Sequence, residues 1–192
     1  MKFTMQRLLI LLGLLALSVG FGLGFDAVAT AIEKNKHPRT EELTSSVSQN
    51  AREFGVPEPI LWATVKEQSN FASNATDSQG RIGLMQLTPE HYVSICTELL
   101  GEPPLDAGML YDPSTNLRCG AAYLSWLYQR YGVWSTVFAA YHAGVEQVDA
   151  WLADPSHVDD LGRLINIPHA TADYVDRMSK TVTLYSKLYY ES

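Results

Sequence analysis

Apolar positions recur at helical spacing along most of this chain, and no stretch shows the strict alternation of a half-buried strand. The exception is the beginning, where Leu8 to Phe25 form an almost unbroken apolar run. From Glu41 to Phe54 the pattern predicts a helix closed by Gly55. Pro57 and Pro59 open a second helix, running from Ile60 to Ser69. A polar, turn-prone stretch, Asn70 to Arg81, precedes Gly83-Leu84-Met85-Gln86-Leu87-Thr88-Pro89. A helix is then predicted from Pro89 to Leu100 and a loop from Gly101 to Gly108. Asp112 and Pro113, a cap and a first-turn proline, start a helix that Gly132 ends. Further helices are predicted over Trp134 to Ala143, Val145 to Leu152 and His169 to Tyr190. The expected class is all-α, about six to eight short helices with one long functional loop after Ser69.

The apolar beginning carries Lys2 and Arg7 and no acid. A positive start followed by such a run reads as an export signal. Ala27-Val28-Ala29 resembles a cleavage site and favours a secretory peptide. The run would also span about 27 Å as a helix, close to the thickness of a bilayer core, which favours a retained anchor. Both readings place the working domain outside the cytoplasmic membrane. The expected organisation is a signal peptide or anchor over 1–29, with the span at about 8–25, a stem over 30–45 and a folded domain over 46–192.

Composition supports a globular domain, with 46% hydrophobic and 18% charged residues in 192. The formal net charge of -7 argues against a nucleic-acid partner. Without the leader, residues 26–192 hold 12 bases and 21 acids, a net of -9. Two cysteines, Cys96 and Cys119, permit a disulfide in an exported domain or a pair of buried thiols. The five histidines show no ligand spacing, and no phosphate-binding loop is present. No metal or cofactor is expected.

The informative residues are Glu67-Gln68-Ser69-Asn70-Phe71, then Gly80-Arg81-Ile82-Gly83-Leu84-Met85-Gln86-Leu87-Thr88-Pro89. Asp112-Pro113-Ser114-Thr115-Asn116, Ala139-Ala140-Tyr141-His142-Ala143-Gly144 and Ile167-Pro168 with Tyr174 follow. In order and spacing they resemble the soluble lytic transglycosylase-like (SLT) domain, glycoside hydrolase family 23, over about residues 50–190. The resemblance implies a lysozyme-like α fold acting on the glycan strands of peptidoglycan. It also implies one catalytic glutamate that protonates the bond between N-acetylmuramic acid and N-acetylglucosamine. That residue then deprotonates the muramyl 6-hydroxyl, which closes to a 1,6-anhydro sugar. Tyr174 would orient the glutamate, Met85 and Gln86 would contact N-acetyl groups, and Ser69 and Tyr141 would line the cleft.

Several positions depart from the family pattern. Ser69 and Phe71 set the register, and the residue at the glutamate position is Gln68, which has no acidic proton to give. Glu67 precedes it and points about 100° away. Asp77 stands where the family usually has a serine, Arg81 replaces an alanine, and His142 replaces an asparagine. Gln68 is therefore an engineered substitution, the mark of a natural relative that binds glycan without turnover, or a sign that Glu67 or Asp77 supplies the proton. The corresponding functions are an envelope-located lytic transglycosylase or a non-catalytic peptidoglycan-binding module. Other cell-wall proteins are possible partners, besides the membrane contacted through the N-terminal segment.

Overall fold

The computed structural model describes residues 27–191. The expected span over about 8–25 lies outside them. Among the described residues, no helix is long and apolar enough to cross a membrane. Two units are distinguished, Met1–Pro38 and Arg39–Ser192. In the first, residues 27–36 are helical (α1). The second consists of helices α2 (Glu41–Phe54), α3 (Glu58–Ser69), α4 (Pro89–Ser94), α5 (Pro113–Tyr131), α6 (Trp134–Ala143), α7 (Val145–Ala153) and α8 (His169–Tyr189). The all-α expectation holds. Among the described residues, pairing outside the helices is confined to isolated bridges, at Thr76–Ile82, Ile82–Leu87 and Val158–Leu164.

Helix boundaries follow local chemistry. Gly55 and Gly132 end α2 and α5 in the left-handed conformation, which costs glycine little because it has no Cβ. Asp112 caps α5 by accepting the Thr115 N–H, and Pro113 follows where no N–H is needed. One expectation is corrected. The helix predicted from Pro89 to Leu100 is α-helical only to Ser94 and continues as a π-helical turn, Ile95–Leu100. Periodicity does not reveal the wider turn, which brings Ile95 and Cys96 into the core. The expected loop over 101–108 runs into a 3-10 turn, Ala107–Tyr111, capped by Asp106.

Helices α3 and α6 are central. Every residue from Ile60 to Val65 and from Thr136 to Ala140 is buried, so neither helix has a solvent stripe through its middle. Helix α8 packs against both. Arg39 stitches the end of α8 to α3, its guanidinium lying 5.2 Å from the Tyr190 ring centroid and 5.8 Å from that of Trp62. This frame holds the C-terminal end of α3 against the middle of α8.

Candidate active site

Helix α3 stops abruptly after Ser69. Asn70 and Phe71 both adopt left-handed backbone, φ 48° and 69°, which is uncommon for residues with a Cβ. The Asn70 N–H closes on Lys66 O at 3.0 Å, and the Ser69 hydroxyl bonds back to Val65 O. The last turn of α3 is thereby held open to the loop that follows. Gln68 lies in that turn, and its Nε2 donates to the Tyr174 hydroxyl on α8 at 2.7 Å. Tyr174 is buried, and burial, with the nearby Glu67 charge, raises its phenol above the usual range against the opposing Gln68 hydrogen bond. The His142 ring stacks on Tyr174 at 4.8 Å, with Nδ1 3.1 Å from the Thr171 hydroxyl. Partial burial, then the charges of Arg81 and Arg177, lowers the His142 pKa, so the ring is neutral at neutral pH.

Glu67 points elsewhere. Its Oε1 accepts from Thr181 Oγ1 at 2.7 Å, and its Oε2 lies 3.7 Å from Arg177 Nε. Thr181 lies seven residues beyond Tyr174 on α8, so the carboxylate runs along the α3–α8 seam away from the Gln68 amide. Asp77 is committed as well. Its Oδ1 accepts the Gln79 and Arg81 backbone N–H groups, and its Oδ2 accepts Arg81 Nε at 2.6 Å. Burial alone would raise this carboxyl, but those hydrogen bonds outweigh it and hold the pKa below the usual value. An acid held ionised in this way is a poor proton donor.

The loop over 75–88 is braced by buried polar groups. Gly83, at φ 78°, donates to Ala75 O, and a Cβ there would lie 2.3 Å from both Leu110 O and Asn116 Nδ2. Asn116 is fully buried and uses its whole amide: Nδ2 donates to Ile82 O and Leu110 O, and Oδ1 accepts the Met85 N–H. Gln86, at φ 51°, donates its side-chain amide to Gly83 O at 2.8 Å and is 6% exposed. Met85 is enclosed against the missing side chain of Gly120, and its carbonyl accepts the Tyr141 hydroxyl at 2.7 Å. The structure thus brings Gln68, Tyr174 and His142 together. It places Met85 and Gln86 as internal braces and Tyr141 as the tie between the loop and α6.

Sequence reasoning gave no role to the aromatic wall beside Tyr141. Tyr123 lies 5.5 Å from the Tyr141 ring, stacks on Trp126 at 5.9 Å and meets His91 at 5.6 Å. A groove of about 570 Å³ runs past His91, Tyr123, Gly144 and Glu146. It adjoins a smaller hollow of about 180 Å³ against Trp126 and Leu99. Flat aromatic faces beside polar groups suit sugar rings. The spacing of Tyr123 and Trp126, three apart on one helix face, was the available signal. Among the described residues, no group of three or more His, Cys, Asp or Glu side chains could hold a metal ion.

The family model of the transglycosylase SLT domain matches residues 45–161, more than half of the chain. The chain belongs to this family. The soluble lytic murein transglycosylase of Escherichia coli K12 is 30% identical to this SLT chain over 142 residues, covering 70% of it and 21% of that protein. Among solved structures, an inactive mutant of the lytic transglycosylase Slt from Pseudomonas aeruginosa aligns with TM-score 0.69 and 29% identity, covering 79% of this chain and 24% of that one. The 70-kDa soluble lytic transglycosylase from Escherichia coli aligns with TM-score 0.73 at 23% identity, covering 83% of this chain and 26% of that one, a likeness of fold. The SLT chain spans between about a fifth and two fifths of the length of the curated relatives it matches.

Proposed function

We propose that this SLT domain, residues 46–192, binds the glycan strands of peptidoglycan in the cleft beside Tyr174 and leaves them intact. The observation that carries the reading is the Gln68 amide bonded to Tyr174 at 2.7 Å, with Glu67 and Asp77 engaged elsewhere. Transglycosylation needs one group that first gives and then takes a proton at the glycosidic oxygen. A glutamine keeps the shape and the hydrogen bond to Tyr174 but cannot transfer that proton. The Pseudomonas aeruginosa structure named above carries a glutamate-to-glutamine change and is an inactive mutant, which is in keeping with this reading. Residues 1–29 would export the domain, cleaved or retained as an anchor, so that it works at the cell envelope beside other cell-wall proteins.

The second reading is turnover, with cleavage between N-acetylmuramic acid and N-acetylglucosamine and a 1,6-anhydro product. It is favoured by how complete the rest of the centre is, from the buried Tyr174 to the Asn116 brace.

Purified sacculi separate the two. The expected result is sedimentation of the protein with sacculi and no soluble muropeptide by mass spectrometry. Gln68→Glu should release 1,6-anhydro products, and Glu67→Ala in that background should leave them. Release of anhydro products by the unaltered chain, abolished by Glu67→Ala or Asp77→Ala, would sink the binding reading and show that the acid had moved.

A further inference from the structure

The aromatic wall ends in a feature that the centre around Tyr174 does not use. After Ser94 the helix widens into the π-turn Ile95–Leu100, and such turns are rare and occur frequently at functional sites. The turn buries Ile95 and Cys96 and brings Glu98 and Leu99 to the hollow beside Trp126. That hollow is about a third the size of the groove, 180 against 570 Å³. The two meet at His91, Tyr123 and Val145, and Glu146 stands on the groove side of the junction. Two carboxylates thus flank one strip of aromatic faces.

The charge there is one-sided. Among the described residues, no lysine or arginine lines the hollow or the groove. The arginines of α5 are engaged with other acids, Arg118 with Glu102 at 2.8 Å and Glu53 at 3.4 Å, and Arg130 with Asp149. The Arg130 guanidinium lies 5.8 Å from the Trp126 ring centroid, but Asp149 balances its charge. The local excess is therefore the negative charge of Glu98 and Glu146. Aromatic faces are themselves negative, so carboxylates beside them favour a cation and disfavour an anion. Ile95, Leu99 and the Trp126 ring add apolar surface, which suits an alkyl arm.

We propose that this hollow is a subsite for a primary ammonium group on an alkyl arm, as carried by the diamino acid of a peptidoglycan stem peptide. The glycan strand would lie along the groove, with the arm against Trp126 and the ammonium at Glu98. Glu146 attracts it from the mouth of the hollow. The inference rests on the glycan-binding reading above and adds which strands are selected. A free amine is present on stems that are not cross-linked through it, and a cross-link converts it to a neutral amide. The domain therefore prefers un-cross-linked peptidoglycan. One exposed ion pair with one cation–π contact gives a preference of about five- to tenfold.

The probes are N-acetylmuramyl-L-alanyl-D-isoglutaminyl-L-lysine, whose side-chain amine is charged at neutral pH, and the same compound acetylated on that amine. Saturation-transfer NMR with the full-length protein measures both affinities and shows which ligand protons touch the protein. The free amine form should bind about five- to tenfold more tightly, with strong saturation on its lysyl methylenes. The E98Q/E146Q double variant changes two exposed side chains with little change of shape, and should bring the two forms within about twofold of each other. Glu90→Gln, on the same segment but outside the hollow, should keep the preference. Equal affinities in the unaltered protein, no binding of either form, or a preference that survives E98Q/E146Q overturn the proposal. Sedimentation tests the glycan reading separately. Protein that pellets equally with native and amine-acetylated sacculi binds glycan and has no ammonium site, whereas protein that pellets with neither overturns the glycan reading itself.

Discussion

The turns at Asp77–Arg81 and Asp159–Arg163 are one device in two settings. Each reads Asp-x-x-Gly-Arg, with glycine in the left-handed region at φ 75° and 74°. In each, the aspartate Oδ1 accepts two backbone N–H groups, at 2.9 and 2.9 Å in the first and 3.0 and 2.8 Å in the second. The arginine Nε donates to Oδ2 in both, at 2.6 and 2.8 Å. An isolated bridge flanks each turn. The difference begins just beyond. After Arg81 and Ile82, Gly83 presses on Leu110 and Asn116 and anchors the loop in the core. After Arg163 and Leu164, Ile165 and Asn166 bond to His157 O and Ser156 O, within their own loop.

The second copy explains the first. Asp77 and Arg81, two of the departures from the family pattern, form a turn staple that also occurs away from the cleft centre. A turn can be specified locally, whereas a site wall needs support from distant residues. The stapled turn provides the former and Asn116 the latter.

The strongest way to break this comparison is to place the same methyl group in both loops. Gly83→Ala should cost about 3–5 kcal/mol, because the Cβ meets backbone and a buried amide on a left-handed residue. Gly162→Ala, with open space around it, should cost about 1 kcal/mol. Urea midpoints measure both, and equal losses would show that the core anchor contributes nothing. Asn116→Ala should cost about 2–3 kcal/mol, since it strands Met85 N–H and the carbonyls of Ile82 and Leu110. Calorimetric melting of that variant should also show lost glycan binding.

Removing the staples should separate stability from binding. Asp77→Ala and Asp159→Ala should each lower the urea midpoint slightly, and only the first should weaken sedimentation with sacculi. Equal binding by the two variants would mean that the Asp77 turn does not shape the cleft.

The pH dependence is smaller. Both aspartates are held below their usual pKa. At Asp77 burial opposes the shift and the Arg81 and Gln79 hydrogen bonds outweigh it, while at Asp159 the Arg163 backbone hydrogen bond is the main cause. Their stabilisation is therefore complete above the unfolded carboxylate pKa and fades as pH falls through the lower folded values. The unaltered protein should lose stability below about pH 4 more steeply than the double alanine variant. His142 has the same sign. Its lowered pKa makes stability fall as pH drops below about 6.5, and His142→Asn should remove that slight slope.

Much of the fold was legible in the chain. Helix α2 starts at Glu41 and ends at Phe54 as its pattern and Gly55 require, and α5 obeys Asp112, Pro113 and Gly132. These boundaries are local choices between hydrogen-bond partners a few residues apart. The π-turn was not legible, because an extra residue in a turn is repaid only by what Ile95 and Cys96 touch. The site was legible in part. The divergence of Glu67 from Gln68 follows from helix geometry, but its partners Thr181 and Arg177 are more than 100 residues away. The family resemblance implies sugar contacts for Met85 and Gln86, and the structure places both inside the loop they support.

The amino-acid sequence by itself determined that the domain is helical and that an amide, not an acid, stands at residue 68. Both are properties of single residues and near neighbours. Only the tertiary structure decided which donors Glu67 and Asp77 meet. A carboxylate goes where it finds donors, and here the donors are the α8 face for Glu67 and the Arg81 turn for Asp77. Where those donors come to rest depends on how α3, α8 and the 75–88 loop pack.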